Sequence, residues 1–243
     1  MQFPIGILAN ISAVILGGLA GSLFKKILPQ RVVEMLYMTF GFCALGIGVV
    51  SIVKMDSLTV VILSVIIGAV VGELCYIDSG IQRFIRFSMD KINRRQKQDD
   101  NTKQIELLCL AMAIICFSGT GIFGALSEGL DGDHSILLAK SVLDLFTIMV
   151  IATATGWFVV LFSLPQAVVF FLCFFLANLI APVLTASAIA NFKAVGGILT
   201  VMVGYNMLAG QVGLKKIRVL NVIPALVLVI AFTWAAGYLP FSI

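Results

Sequence analysis

Apolar and polar positions fall into long blocks along this chain, with neither strand-like alternation nor a steady amphipathic period. Apolar runs long enough to cross a bilayer, about 20 residues each, cover 4–24, 34–53, 57–77, 105–124, 138–162, 166–188, 194–213 and 218–238. The polar breaks carry helix-stop signals: Pro29 and Gln30, Lys54 to Ser57, and Pro165. The break at 189–193 (IANFK) is short and predicts a tight hairpin. The pattern predicts an all-α, polytopic transmembrane bundle of about eight spans in one membrane domain, 1–243. The N-terminal run has no basic segment before it, and Lys25 and Lys26 follow it, so it reads as a retained first helix.

Alternating the spans across a membrane sorts the charges. If the side reached after the first span is Y, thirteen of the sixteen Lys and Arg lie on Y, leaving Lys54, Lys140 and Lys193 to the other side. The positive-inside rule makes Y the cytoplasm, with both termini outside. The basic stretch 79–104 then becomes a cytoplasmic loop, either a solvated topogenic connection or a dock for anionic lipid. One short loop with no fold to present it does not make a nucleic-acid partner, although the net charge is +4.

A candidate internal repeat lies on one diagonal. Leu28 to Val33 (LPQRVV) recurs as Leu164 to Val169 (LPQAVV), and Ile62 to Gly68 (ILSVIIG) aligns with Ile198 to Gly204 (ILTVMVG), both at an offset of 136. This predicts parallel 4+4 halves, 1–124 and 138–243, related by an axis along the membrane normal.

Composition supports the solvent assignment. Of 243 residues, 60% are hydrophobic and 12% charged, against about 25% charged in soluble domains. Five cysteines lie in or beside apolar runs with no CxxC spacing, so they read as packing residues and not as zinc ligands or disulfides. Small residues set contacts between helices in lipid. Gly17-Gly18-x-x-Gly21, Gly68-x-x-x-Gly72, Gly41, Gly46 and Gly48, and Gly196, Gly197 and Gly204 therefore predict a tightly packed bundle whose exposed glycine-rich faces also allow a homodimer. Gly119-x-Gly121-x-x-Gly124 imitates a dinucleotide fingerprint but lacks its strand, so no cofactor is expected; it predicts a loosened or broken helix.

Candidate chemistry concentrates between Ser118 and Asp144. Lys140 and Asp144 are one helical turn apart and share a face. A charge within a span costs roughly 2.5–3.5 kcal/mol on insertion scales. Asp144 is either a functional carboxylate or the buried structural partner of Lys140, which near the outer end can snorkel to the interface. Glu128, Asp131, Asp133 and His134 form a short acidic loop, either a cation-concentrating mouth or an ordinary solvated turn in which Asp133 or Ser135 caps the fifth helix. A single histidine excludes a multi-histidine metal site, and no metal centre is expected. Asn10, Asn178 and Asn206 either line a hydrophilic path or bond between helices. No HExxH, GxSxG, Walker loop or CxxC is present, so the expectation is not an enzyme.

The segments ILANISAVILGGLAG, GALSEGLDGDHSILLAKSVLD, AVGGILTVMVGYNMLAG and KKIRVLNVIPAL resemble the YqgA/YdfK-type bacterial inner-membrane proteins over nearly the whole chain. Gly132, Asp133, Lys140 and Asp144 match the most specific stretch. The resemblance implies a bacterial inner membrane and the movement of sodium through a channel or pump; it supplies no established site. The bulky LFTIM after Asp144 departs from the small, Ser-rich continuation of that family. The expectation is a transporter or channel for a small cation, Na⁺ or H⁺. Asp144 would bind or titrate, Lys140 would be its charge partner, Asp133 and Glu128 the outer mouth, and Asn10 and Asn206 neutral ligands. Two alternatives stand beside it. One is a non-transporting scaffold or regulator acting through the basic loop; the other is an exporter of a small organic molecule, which needs a large apolar cavity.

Overall fold

A computed structural model describes residues 3–23, 30–80, 83, 119–180 and 184–237. Every regular element among them is helical. The helices are α1 (Ile5–Leu23), α2 (Gln30–Ile52), α3 (Leu58–Leu74), α4 (Gly119–Asp131), α5 (Ser135–Thr155), α6 (Ser163–Ile180), α7 (Ala186–Val212) and α8 (Pro224–Ala236). Short 3-10 turns, Gly156–Phe162 and Val219–Val222, join α5 to α6 and lead into α8. Among the described residues, six helical stretches are long and apolar enough to cross a membrane, and Leu58–Leu74 is a shorter apolar seventh. Residues 105–118, most of the expected fourth span, and the expected basic loop beyond residue 83 lie outside the described residues.

Local chemistry sets the helix ends. Ser57 and Thr185 cap α3 and α7 by accepting from the amides of Val60 and Ala188. Gly213 ends α7 in the left-handed conformation that only glycine adopts without strain. Gly156, also at positive φ, ends α5. Pro224 opens α8, where a missing N–H costs nothing.

Pairing follows the glycines. α1 packs along α5 with so little clearance that a Cβ on Gly17 or Gly21 would collide with the carbonyl of Leu145 or Met149. Gly41 and Gly48 on α2 oppose Gly204 and Gly197 on α7, and Gly68 and Gly72 on α3 oppose Ala225 and Asn221. These close approaches supply the dispersion that replaces a hydrophobic drive in lipid. The principal pairings, α1 with α5 and α2 with α7, cross between the two expected halves. The core gathers Phe123, Phe192, Val195, Leu199, Val222 and Leu226, where α4, α7 and α8 meet beside α3.

Three expectations are corrected. The IANFK segment is no hairpin: Thr185 caps a helix that runs from Ala186 through it to Val212. Pro165 does not separate two spans, because the chain turns at Gly156 and the proline falls in the first turn of α6, where it is tolerated. The Gly119–Gly124 stretch is not broken; it lies within continuous α4, where Gly124 is pressed against Leu137 and packing offsets the glycine penalty.

Candidate functional site

Five polar or charged side chains from four helices are buried within the bundle: Asn10 (0% exposed), Glu128 (0%), Lys140 (4%), Asp144 (5%) and Gln166 (0%). The i, i+4 spacing on α5 folds Lys140 back toward Asp144, with Nζ 2.7 Å from Oδ1 and 2.7 Å from Oδ2. The ammonium therefore does not snorkel to the interface. From α1, Asn10 Nδ2 donates to Asp144 Oδ2 at 2.9 Å.

Donor and acceptor directions in this network are forced. A carboxylate only accepts, so Asn10 turns its NH₂ to Asp144. Asn10 Oδ1 then faces α6, where Gln166 Nε2 donates to it. Gln166 Oε1 ends the chain as a buried acceptor to which, among the described residues, no donor is bonded. A buried carbonyl left this way costs on the order of 1–3 kcal/mol. Gln166 was not among the expected site residues; a glutamine in an otherwise apolar helix was the available signal.

Glu128 is not part of a solvated mouth. It lies in the last turns of α4, fully buried, and its carboxylate accepts from the amides of Gly6 (2.6 Å) and Ile7 (3.1 Å) at the start of α1. Helix N-termini carry unsatisfied N–H groups and a partial positive charge, so a carboxylate is a fitting cap there. His134 Nδ1 lies 3.1 Å from the same carboxylate.

Asp133 borders a cleft. With Asp131 it grips Lys193 of α7, at 2.9 Å and 2.6 Å. It also accepts from the amide and hydroxyl of Ser135, the first residue of α5. Burial pushes the Asp133 carboxyl up, but the bonds from Ser135 and Lys193 outweigh it and bring the pKa down to about 2. Beside this triad a cleft of about 480 Å³ opens between α2, α5 and α7, bordered by Lys54, Ser51, Asp133 and Lys193. Lys140 and Asp144 do not line it. They belong to the seam that α5 makes with α1.

Asn206 is far from this group. Its carboxamide grips the backbone of Ile217, donating to the carbonyl and accepting from the amide, both at 2.7 Å. Its place as a neutral ion ligand is withdrawn, because both of its amide functions are engaged at the opposite end of the bundle. Two other asparagines missed by sequence reasoning work alike. Asn191 Oδ1 accepts from the amides of Asp56 (3.0 Å) and Ser57 (2.8 Å), and Asn221 Oδ1 accepts from Asp78 (2.7 Å). Asn178, although near the end of α6, joins none of these networks.

Comparison with known proteins places these features in a family. The family described as "Protein of unknown function (DUF554)" matches residues 5–234. "Uncharacterized protein YqgA" of Escherichia coli (strain K12) is 36% identical over 236 residues, 96% of this chain and 99% of that protein. "Uncharacterized membrane protein YdfK" of Bacillus subtilis (strain 168) is 27% identical over 232 residues, 92% of this chain and 93% of that one. No solved structure matches the chain.

Proposed function

The chain belongs to the DUF554 family of YqgA/YdfK-type proteins, and from that premise and the buried network we propose that it moves a small cation, Na⁺ or H⁺, across the bacterial inner membrane. One observation carries the reading. A carboxylate, an ammonium and two carboxamides are held together inside an apolar bundle, and their hydrogen-bond chain ends on a Gln166 carbonyl oxygen to which no described residue donates. Ionisable groups at such depth are costly to insert and mark ion and proton pathways in membrane proteins.

In this reading the structure is the closed state. Lys140 occupies the place a cation would take beside Asp144. An arriving Na⁺ or proton competes for the carboxylate and releases the ammonium, while the amide oxygens of Asn10 and Gln166 offer the hard ligands such ions prefer. Asp131, Asp133 and Lys193 stand at the outer entrance. The pair is buried, which fits a gated carrier better than a standing pore. Binding and release need no covalent chemistry, so the protein is read as a transporter and not an enzyme. The termini are assigned outside and 79–104 to the cytoplasm, as charge asymmetry supports.

The same burial favours a second reading, in which the pair is a permanent lock and the protein is a scaffold acting through its basic loop. Proteoliposomes separate the two. Under the first reading, wild-type protein carries Na⁺ or H⁺ flux above protein-free vesicles, and Asp144→Asn reduces it at least about tenfold, the worth of ~1.4 kcal/mol. Absence of wild-type flux, or unchanged flux in Asp144→Asn, refutes it. Under the second, vesicles stay silent and deletion of 86–103 removes the cellular phenotype.

A further inference from the structure

The cleft between α2, α5 and α7 plays no part in the reading above. Its walls are apolar, built from Ile47 and Val50 of α2 and Ile136 and Ala139 of α5. It runs along α2 from Cys43 to Ser51 and past the helix end to Lys54. Eight helical steps at about 1.5 Å each make roughly 12 Å, most of the ~15 Å depth of one leaflet of a ~30 Å hydrocarbon core. Its side is open among the described residues: Val50 is 61% exposed, and a Cβ at Gly46 would meet none of them within 4 Å. Gly46 thus differs from Gly41 and Gly48 of the same helix, which are pressed against α7. The apolar stretch of this groove suits a hydrocarbon chain better than water, whose polar partners are gathered at Ser51, Lys54, Asp133, Ser135 and Lys193.

The mouth specifies the head group. Lys193 is one ammonium shared by two carboxylates, Asp131 and Asp133, which leaves a carboxylate in excess. Lys54 is exposed, and among the described residues its ammonium has no carboxylate partner. A purely anionic head group would meet Lys54 but be repelled by the excess carboxylate. A quaternary ammonium would offer that carboxylate no N–H. A head group with a phosphate and a primary ammonium answers both charges, the phosphate on Lys54 and the ammonium on the Asp131–Asp133 side.

We propose that this cleft is a binding site for one zwitterionic aminophospholipid of the phosphatidylethanolamine type, with an acyl chain between α2 and α5 and its head group on Lys54 and the Asp131–Asp133 pair. The site is independent of ion movement, so it stands or falls whether or not the protein carries flux.

Native mass spectrometry of the full chain, released from nanodiscs of equal phosphatidylethanolamine, phosphatidylglycerol and phosphatidylcholine, tests it. The expected result is a one-to-one adduct dominated by phosphatidylethanolamine. Lys54→Gln should lower its retention about fivefold, the effect of one lysine charge at a lipid head group. Gly46→Leu should remove the adduct by filling the groove, while the protein melts no lower than wild type, because leucine is a better helix former and its Cβ meets none of the described residues within 4 Å. Soluble phosphoethanolamine should not compete, since it has no chain. Equal retention of the three lipids, a preference for phosphatidylglycerol, an adduct that survives Gly46→Leu, or competition by the soluble head group each overturns the assignment.

Discussion

A double-mutant cycle on Lys140 and Asp144 tests how the bundle tolerates charge in its interior. The two groups touch at 2.7 Å and are 4% and 5% exposed. At an effective dielectric constant of about 20, Coulomb attraction at that separation is ~6 kcal/mol. Each charge costs roughly 3 kcal/mol to hold inside the membrane. Replacing Asp144 by Asn forfeits the attraction and recovers one insertion cost, a net loss of ~3 kcal/mol, in line with the ~3–5 kcal/mol typical of breaking a buried pair. Lys140→Met costs about the same. The double variant forfeits the attraction but recovers both insertion costs, so it should return to within ~1–2 kcal/mol of wild type. Reversible unfolding in bicelles, read by steric trapping, measures the three differences. If the double variant loses the sum of the single losses, the two charges do not interact and the reasoning fails. Flux in the stable double variant adds a second discrimination. A folded protein without flux assigns the charges to transport, and a folded protein with undiminished flux assigns them to architecture.

Four further outcomes follow from the same geometry. Gly21→Leu should destabilise the protein by at least ~1–3 kcal/mol through overpacking against α5, measured by the same unfolding assay. Glu128→Ala should cost ~2 kcal/mol, a lost helix cap plus a solvation penalty, and should speed amide exchange at Gly6 and Ile7 first. Asn191→Ala leaves the amides of Asp56 and Ser57 without their acceptor and should cost ~1–3 kcal/mol, with faster exchange confined to the α2–α3 turn. Asp133 is depressed in the folded state from 3.8 to about 2, so its contribution is full above pH 3.8 and is lost as pH falls through about 2. Melting curves of wild type and Asp133→Asn should therefore differ at pH 5 and converge near pH 2; parallel curves across that range would contradict the ion-pair geometry.

What the sequence revealed and what it hid divide along physical lines. The membrane helices were legible because hydrophobic length reports directly on bilayer thickness, and the glycines foretold close packing, though Gly46 lies away from the contact that Gly41 and Gly48 make. The pairing of Lys140 with Asp144 was legible because i, i+4 geometry is local. Its union with Asn10 was only half legible: both residues were singled out, but nothing in a linear pattern states that α1 lies along α5. Glu128 misled because acidic residues near a Gly-Asp turn resemble a solvated loop, whereas the amides it serves lie more than a hundred residues away. Asn206 misled for the same reason, since a buried-looking polar residue declares its partner only after folding. Gln166 was concealed by its place in a repeat-like motif, which gave it a sequence explanation before a chemical one.

The long-range character of these bonds has a consequence in time. Asn10 and its carboxylate partner are 134 residues apart, and ribosomes add about 5–20 residues per second. The first helix therefore waits some ~7–27 s after emerging before α5 is even synthesised. Until then the carboxamide of Asn10 and the amides of Gly6 and Ile7 lack the partners they hold in the finished bundle. The polar groups of α1 are thus completed by chain that is made long after α1 itself.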